Sequence, residues 1–291
     1  MRKLVLGMLF ILLCIPQHTY ANRGEVYVAL GDSLAAGQTP YSQIDAGYTD
    51  FIALQLMRHQ KLAHFSKELS FPGYRVQNVI DSIQTEPAQQ LLKNATIVTI
   101  SAGANNLLPL ISHNANNGSL AFSQLSVNFA LNEVRLQLKE LLQQVQEKAP
   151  YATIYVMGYY FPYTSVHEKQ MIGATKALAL LNDILQQEAK AADAVFVDIY
   201  KEFGERSVKY LPNVSDVHPN QLGYRVMANE MLAKFIGNRS LQLAEKNMPE
   251  PSPKSFEEIL VERQASDEVA LRGVYVASYF TANQSARPLM S

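Results

Sequence analysis

A chain of 291 residues, 48% apolar and 18% charged, is long enough for one large or two small domains and too apolar for wholesale disorder. Its formal net charge of −1 offers no attraction to nucleic acid or to an anionic membrane surface.

Arg2 and Lys3 precede an apolar run from Leu4 to Ile15, which Pro16 breaks. Thr19-Tyr20-Ala21 then supplies small residues at the two positions a signal peptidase reads. The run is short for a membrane span. Residues 1–21 are therefore expected to be a cleaved secretory signal, which makes the mature protein extracellular. Cys14, the only cysteine, lies inside this segment behind Leu13 rather than a small residue, so lipid modification is not expected. The mature chain should carry neither disulfide nor catalytic thiol.

The apolar run Val26-Tyr27-Val28-Ala29-Leu30 stops at Gly31, and Asp32-Ser33-Leu34-Ala35-Ala36-Gly37 follows, as at the end of a buried strand leading into a helix. Residues Thr49 to Gln60 have helical periodicity, with Phe51, Ile52, Leu54, Leu56 and Met57 apolar. Phe65 to Phe71 is a weak second strand broken by Pro72-Gly73, and Val76 to Leu92 holds helix formers split by Pro87. Ala95 to Ile100 is the clearest central strand and ends at Ser101-Ala102-Gly103-Ala104-Asn105-Asn106. Ser112 to Ser119 reads as an exposed polar loop. A helix from about Ser126 to Lys148 puts Val134, Leu138, Leu141, Leu142 and Val145 on one face, and Pro150 ends it. Strands at Thr153 to Tyr159 and Val195 to Ile199 flank a helix over Lys169 to Lys190. A last helix, about Asn220 to Phe235, has Pro219 suited to its first turn. Strands alternating with helices imply parallel βαβ units and a three-layer α/β architecture around a five-stranded sheet. From residue 238 the pattern stops. Pro249, Pro251 and Pro253 lead to a helix expected over Ser255 to Gln264 and an apolar run from Val274 to Phe280, whose role is open.

Ser33, Gly73 and Asn105 follow the first three strands, and His218 precedes the last helix. All four converge on one rim of the sheet, where open α/β sheets bind ligands. Gly31-Asp32-Ser33-Leu34, Gly73 in Phe71-Pro72-Gly73-Tyr74, Gly103-Ala104-Asn105-Asn106 and His218 in Asp216-Val217-His218-Pro219-Asn220 resemble, in order, four sequence blocks of the GDSL hydrolases, the SGNH superfamily. The resemblance runs from about Val26 to Phe235. It implies a flavodoxin-like α/β fold, a hydrolase domain over residues 22–237 and a C-terminal extension over residues 238–291. The Gly-x-Ser-x-Gly signature of the larger α/β-hydrolases is not met, since its fifth position is Ala35.

A serine hydroxyl attacks well only if a base takes its proton, and imidazole has a suitable pKa. Ser33 is the candidate nucleophile and His218 the candidate base; a helix cap would be the structural use of Ser33. The resemblance implies an oxyanion hole of the Ser33 and Gly73 N–H groups and the Asn105 side chain, with Asn106 as the alternative donor. Two positions depart from the family pattern. Asn106 stands where an aspartate is usual, and Ser215 occupies the usual place of the acid three residues before the histidine. Asp216, two before, would have to orient His218; otherwise a Ser–His dyad operates. Asp32 reads as structural. The aromatic loop Tyr159 to Tyr163, with Leu107, Leu108 and Leu110, would wall an acyl pocket.

The resulting expectation is a secreted lipase or esterase acting through an acyl-Ser33 intermediate without metal or cofactor. Its partners are a small-molecule ester or lipid substrate and transient lipid surfaces, not nucleic acid. The alternatives are a carbohydrate deacetylase and a non-catalytic binding protein on the same scaffold.

Overall fold

The run richest in β-branched residues, Ile97-Val98-Thr99-Ile100, builds the middle strand of the sheet. The computed structural model describes residues 24–204, 207–236 and 239–262, so the expected signal segment and the Val274 to Phe280 run lie outside the described residues. Strands β1 (Glu25–Gly31), β2 (Leu62–Ser70), β3 (Ile97–Ser101), β6 (Thr153–Met157) and β7 (Val195–Val197) pair in parallel in the order β2-β1-β3-β6-β7. All five residues of β3 are buried, as a central strand covered on both faces requires. Counting these five strands alone, the order is the flavodoxin-like 2-1-3-4-5, whose switch point lies between β1 and β3. The expected α/β architecture with a five-stranded parallel sheet is the one observed.

The helices are α1 (Ser33–Ala36), α2 (Tyr48–Arg58), α3 (Val76–Ser82), α4 (Glu86–Lys93), α5 (Ala104–Leu107), α6 (Gln124–Lys148), α7 (Glu168–Ala191), α8 (Tyr200–Phe203) and α9 (Gln221–Ile236). Helix α2 packs on α9, while α3, α4 and α7 pack on α6, which gives the two outer layers. Pro87 divides the expected Val76 to Leu92 helix into α3 and α4. It sits in the first turn of α4 behind the Thr85 cap, where its missing N–H costs nothing.

Three local expectations are corrected. The stretch Ser112 to Ser119 is not a plain loop but most of a hairpin, β4 (Ile111–Asn114) with β5 (Ser119–Phe122). Its turn is built by Asn114 and Asn117, whose side chains accept the N–H groups of Asn116 and Ser119, and Leu120 anchors it in a satellite core with Phe161 and Tyr163. Strand β6 stops at Met157 because Asn182 of α7 takes over the backbone of Tyr159, accepting its N–H and donating to its carbonyl, both at 2.8 Å. Helix α9 begins at Gln221, after Pro219. Asn220 fills the cap position and accepts the Gly223 N–H at 3.1 Å.

The segment after α9 folds back on the domain. Leu241 and Leu243 are buried in the main core. Gln55 donates to the Leu241 carbonyl at 2.8 Å, Asn229 accepts the Leu243 N–H at 2.7 Å, and Ile44 and Lys254 form an antiparallel bridge. A helix over 256–262 ends the described chain. Burying a leucine side chain stabilises by about 1.5–3 kcal/mol. A chain ended at residue 238 is therefore expected to melt measurably below one ended at residue 262, by calorimetry of both; equal midpoints would mean the strap adds nothing.

Candidate active site

Strand β1 ends on Gly31 with φ of +138°, and a Cβ there would lie 2.1 Å from the Ser101 carbonyl oxygen. Only glycine lets the tips of β1 and β3 come this close. The Asp32 N–H then donates to that same carbonyl at 2.8 Å. The Asp32 carboxylate is the cap of α1, accepting the Leu34 N–H at 3.0 Å. The hydroxyls of Ser101 (2.9 Å) and Tyr159 (2.7 Å) also donate to it. Burial raises the Asp32 pKa; these donors, and more weakly His218, pull the other way without cancelling the shift. Burial and the neighbouring Asp32 both push the Tyr159 phenol up, so the proton stays on the tyrosine oxygen.

With Asp32 as the cap, the Ser33 hydroxyl is not needed for capping. It lies 2.7 Å from His218 Nε2, and both residues are buried except for about 8% of their surface. The other ring nitrogen, Nδ1, is 2.6 Å from Asp216 Oδ1. A carboxylate only accepts, so Nδ1 holds the proton and Nε2 turns a lone pair toward Ser33. Burial alone would raise the Asp216 pKa. Its hydrogen bond to the His218 ring, the attraction of that ring, and the backbone N–H groups of His218 and Val217 together outweigh this and hold it below the usual value. Tyr160 steadies the loop by donating to the Val217 carbonyl at 2.7 Å, its ring stacked on Phe203.

Asn105 donates one amide N–H to the Tyr74 carbonyl at 2.9 Å, and an amide nitrogen carries two. This bond ties Asn105 to the turn Phe71–Tyr74, where Gly73 has φ of +84° and open space where a Cβ would stand. Among the described residues, no hydrogen bond takes up the N–H of Ser33 or of Gly73. Asn106 is employed elsewhere. Its Oδ1 accepts the Val76 N–H at the start of α3, and its Nδ2 reaches Gln137 at 3.5 Å.

A cleft of about 80 Å³ opens beside Ser33 and His218, lined by Leu107, Leu108, Ile111, the loop Tyr159 to Tyr163, and Ala174, Ala177, Leu178 and Leu181 of α7. Leu110, expected as a wall, instead faces a groove on the other side of its turn with Phe129 and Arg75. Sequence reasoning missed the hydroxyls of Ser101 and Tyr159 on Asp32 and the tyrosine that ties down the histidine loop. Tyr159 and Tyr160 stood inside an apolar aromatic run, where a phenol that donates reads no differently from one that packs.

A 2-1-3-4-5 parallel sheet, with a hydroxyl, an imidazole and a carboxylate in a row beside its switch point, defines a flavodoxin-like hydrolase architecture. The chain belongs to the GDSL-like lipase/acylhydrolase family, whose model matches residues 29–226. It is similar to the uncharacterized protein YpmR of Bacillus subtilis, 23% identical over 213 residues, which span 71% of this chain and 79% of that one. Among solved structures, the lipase Lip_vut3 from a goat rumen metagenome superposes with a TM-score of 0.58 at 20% identity, over 74% of this chain and 99% of that one. The acetylxylan esterase Axe2 of Geobacillus stearothermophilus gives 0.54 at 16% identity, over 75% and 98%. At these identities the likeness to the solved structures is one of fold.

The lowered pKa of Asp216 sets a pH dependence. The folded state holds this proton less tightly than the unfolded chain, so the stabilisation is complete above about pH 4, the ordinary aspartate value. It is lost as pH falls through the lower folded value. Asp216→Asn is expected to be less stable than wild type at neutral pH, with the gap closing below about pH 4. Urea unfolding across that range measures it, and a pH-independent gap would refute the role given to the ionised carboxylate.

Proposed function

We propose that this protein is a secreted serine hydrolase that cleaves carboxylic esters with apolar acyl groups, through a covalent acyl-Ser33 intermediate. The observation that carries the reading is the unbroken row Asp216–His218–Ser33, with spacings of 2.6 and 2.7 Å, at the mouth of an apolar cleft. Secretion rests on the charged and apolar pattern of residues 1–21.

In the first half-reaction His218 Nε2 takes the Ser33 proton as Oγ attacks the ester carbonyl. Asp216 holds the ring in the tautomer this needs and stabilises the imidazolium that forms. The negative charge develops on the carbonyl oxygen, for which the Ser33 N–H, the Gly73 N–H and the second N–H of Asn105 are the available donors. Collapse of the intermediate breaks the bond to the alcohol, which leaves with the proton from His218. Water then attacks the acyl-serine by the same route in reverse, releasing the acid and restoring Ser33.

The neighbours named above include a lipase and an acetylxylan esterase, so the acyl group must be argued from this chain. A cleft walled by Leu107, Leu108, Phe161 and Leu178 favours an acyl chain longer than acetate. A fluorophosphonate probe is expected to label Ser33, and Ser33→Ala to lower kcat on p-nitrophenyl esters by about 10⁴-fold or more. Asn105→Ala should cost about 100- to 1000-fold in kcat, as the loss of one oxyanion donor does elsewhere. Folded protein that fails to label would leave a binding protein. Release of acetate from acetylated xylan, without hydrolysis of longer esters, would replace this reading with a carbohydrate deacetylase.

A further inference from the structure

The apolar cleft beside Ser33 has one wall built partly of small side chains. Ala174, Ala177, Leu178 and Leu181 of α7 line it at helical spacings of three or four residues, as one stripe. At 1.5 Å of rise per residue the stripe is about 10 Å long. Its Leu181 end lies beside the tip of β3, where a Cβ on Gly103 would stand 3.4 Å from Leu181 Cδ1. Its Ala174 end belongs to the satellite core, with Leu120, Phe161 and Tyr163. Ala174 and Ala177 are each only 6% exposed, so a larger side chain at either takes its room from the cleft. The hairpin backs the Ala174 end. Ile111 of β4 lines the cleft and packs on the satellite core, and the His113 ring lies 4.7 Å from that of Tyr163. Two hydrogen bonds fasten the hairpin to the start of α7. Gln170 accepts the Leu120 N–H at 2.9 Å, and the His167 N–H donates to the Gly118 carbonyl at 3.0 Å. This wall is fixed.

A cleft with fixed, packed walls admits an acyl chain only up to a certain length, because overfilling it forces strained side chains and backbone shifts. We propose that Ala174 and Ala177 set this length, and that the preferred substrates are esters of short to medium acyl groups. A water-sized group needs about 10–15 Å³ of such space, so the cleft of about 80 Å³ takes an acyl group of roughly four to eight carbons. The inference rests on reading the cleft as an acyl site, and it names the acyl group that site takes. Ala174 and Ala177 act through the room they leave. The same two positions with leucine would fill part of the cleft from the α7 side. Acetate is too small to use such a cleft, and a palmitoyl chain is too long to be seated in it.

The test is kcat/KM on p-nitrophenyl esters from acetate to palmitate, for the full chain and for single variants. Each methylene that the cleft seats is worth about fourfold, so kcat/KM should climb from acetate. It should turn down beyond about eight carbons. Ala174→Leu and Ala177→Leu each add an isopropyl group to the wall, and each should cut the octanoate-to-butyrate ratio about tenfold or more. Leu178→Ala removes one and should move the maximum to longer esters, which keeps the test open if a leucine variant fails to fold. Ala179→Leu, on the exposed side of the same helix, should leave the ratio where it is. Thermal midpoints check that each variant is folded. Activity that keeps rising to palmitate, activity on acetate alone, or a ratio that none of the three cleft variants moves would each overturn the proposal. The two readings fail separately. Ester cleavage and serine labelling with a profile the variants leave unmoved remove only the length limit, whereas folded protein that no fluorophosphonate labels removes the acyl site itself.

Discussion

Much of the site geometry depends on one buried carboxylate. Asp32 gathers donors from three places: the Leu34 N–H in α1, the Ser101 hydroxyl at the tip of β3, and the Tyr159 hydroxyl after β6. Taking a carboxylate out of water costs several kcal/mol even after relaxation, and a hydrogen bond to a charged group returns roughly 1.5–3. Three donors offset part of that cost, and the raised pKa of Asp32 means that desolvation still leads. The result is a clamp across the switch point that also caps the helix bearing Ser33. The hydroxyl beside it stays available to His218. A serine at the start of a helix and a serine nucleophile are competing uses of one side chain, and the aspartate before it removes the competition.

The loop carrying His218 solves a different problem, that of spacing. Asp216 precedes the histidine by two residues rather than three. An aspartate can accept the backbone N–H two residues on, closing an Asx-turn. Here the Oδ1 of Asp216 accepts both the His218 N–H, at 2.7 Å, and its ring Nδ1, at 2.6 Å. One oxygen thus fixes the turn and the ring together. The shorter spacing is adequate because the turn itself aims the carboxylate. Tyr160 holds the intervening Val217 by its carbonyl, so the loop is pinned from the sheet side as well.

How much of this was legible in the sequence follows from the range of the interactions. The β-branched and apolar runs at Val26 to Leu30 and Ala95 to Ile100 announce central strands because burial on both faces needs no partner to be named. Ser33, Gly73, Asn105 and His218 were legible as ordered blocks at strand ends. The hairpin at Ile111 to Phe122 was not, since two four-residue strands around an asparagine-rich turn have too short a period to distinguish from a loop. Nor was the return of Leu241 and Leu243 to the core, because isolated leucines in a polar stretch carry no periodicity. The Asp216–His218 pairing sat between these cases: the residues were visible, but which carboxylate would reach the ring depended on a turn.

Asn105 and Asn106 make the last point about neighbouring residues of one type. The Val76 N–H bonds the carbonyl oxygen of Asn106, and Gln137 meets its nitrogen, so its polar groups are turned to holding α3 against α6. An aspartate there would accept the same backbone N–H but could not donate to Gln137, which makes the asparagine a workable substitute. Asn105 is fastened through one N–H to Tyr74, beside Gly73, and keeps the other. Fastening matters because a donor that must reorganise during reaction gives back part of what it stabilises, whereas a preorganised one does not. The Tyr74 carbonyl thus fixes Asn105 and holds it to the glycine turn in a single bond. Two of the three candidate oxyanion donors are thereby linked directly, and the third lies on the helix that Asp32 caps.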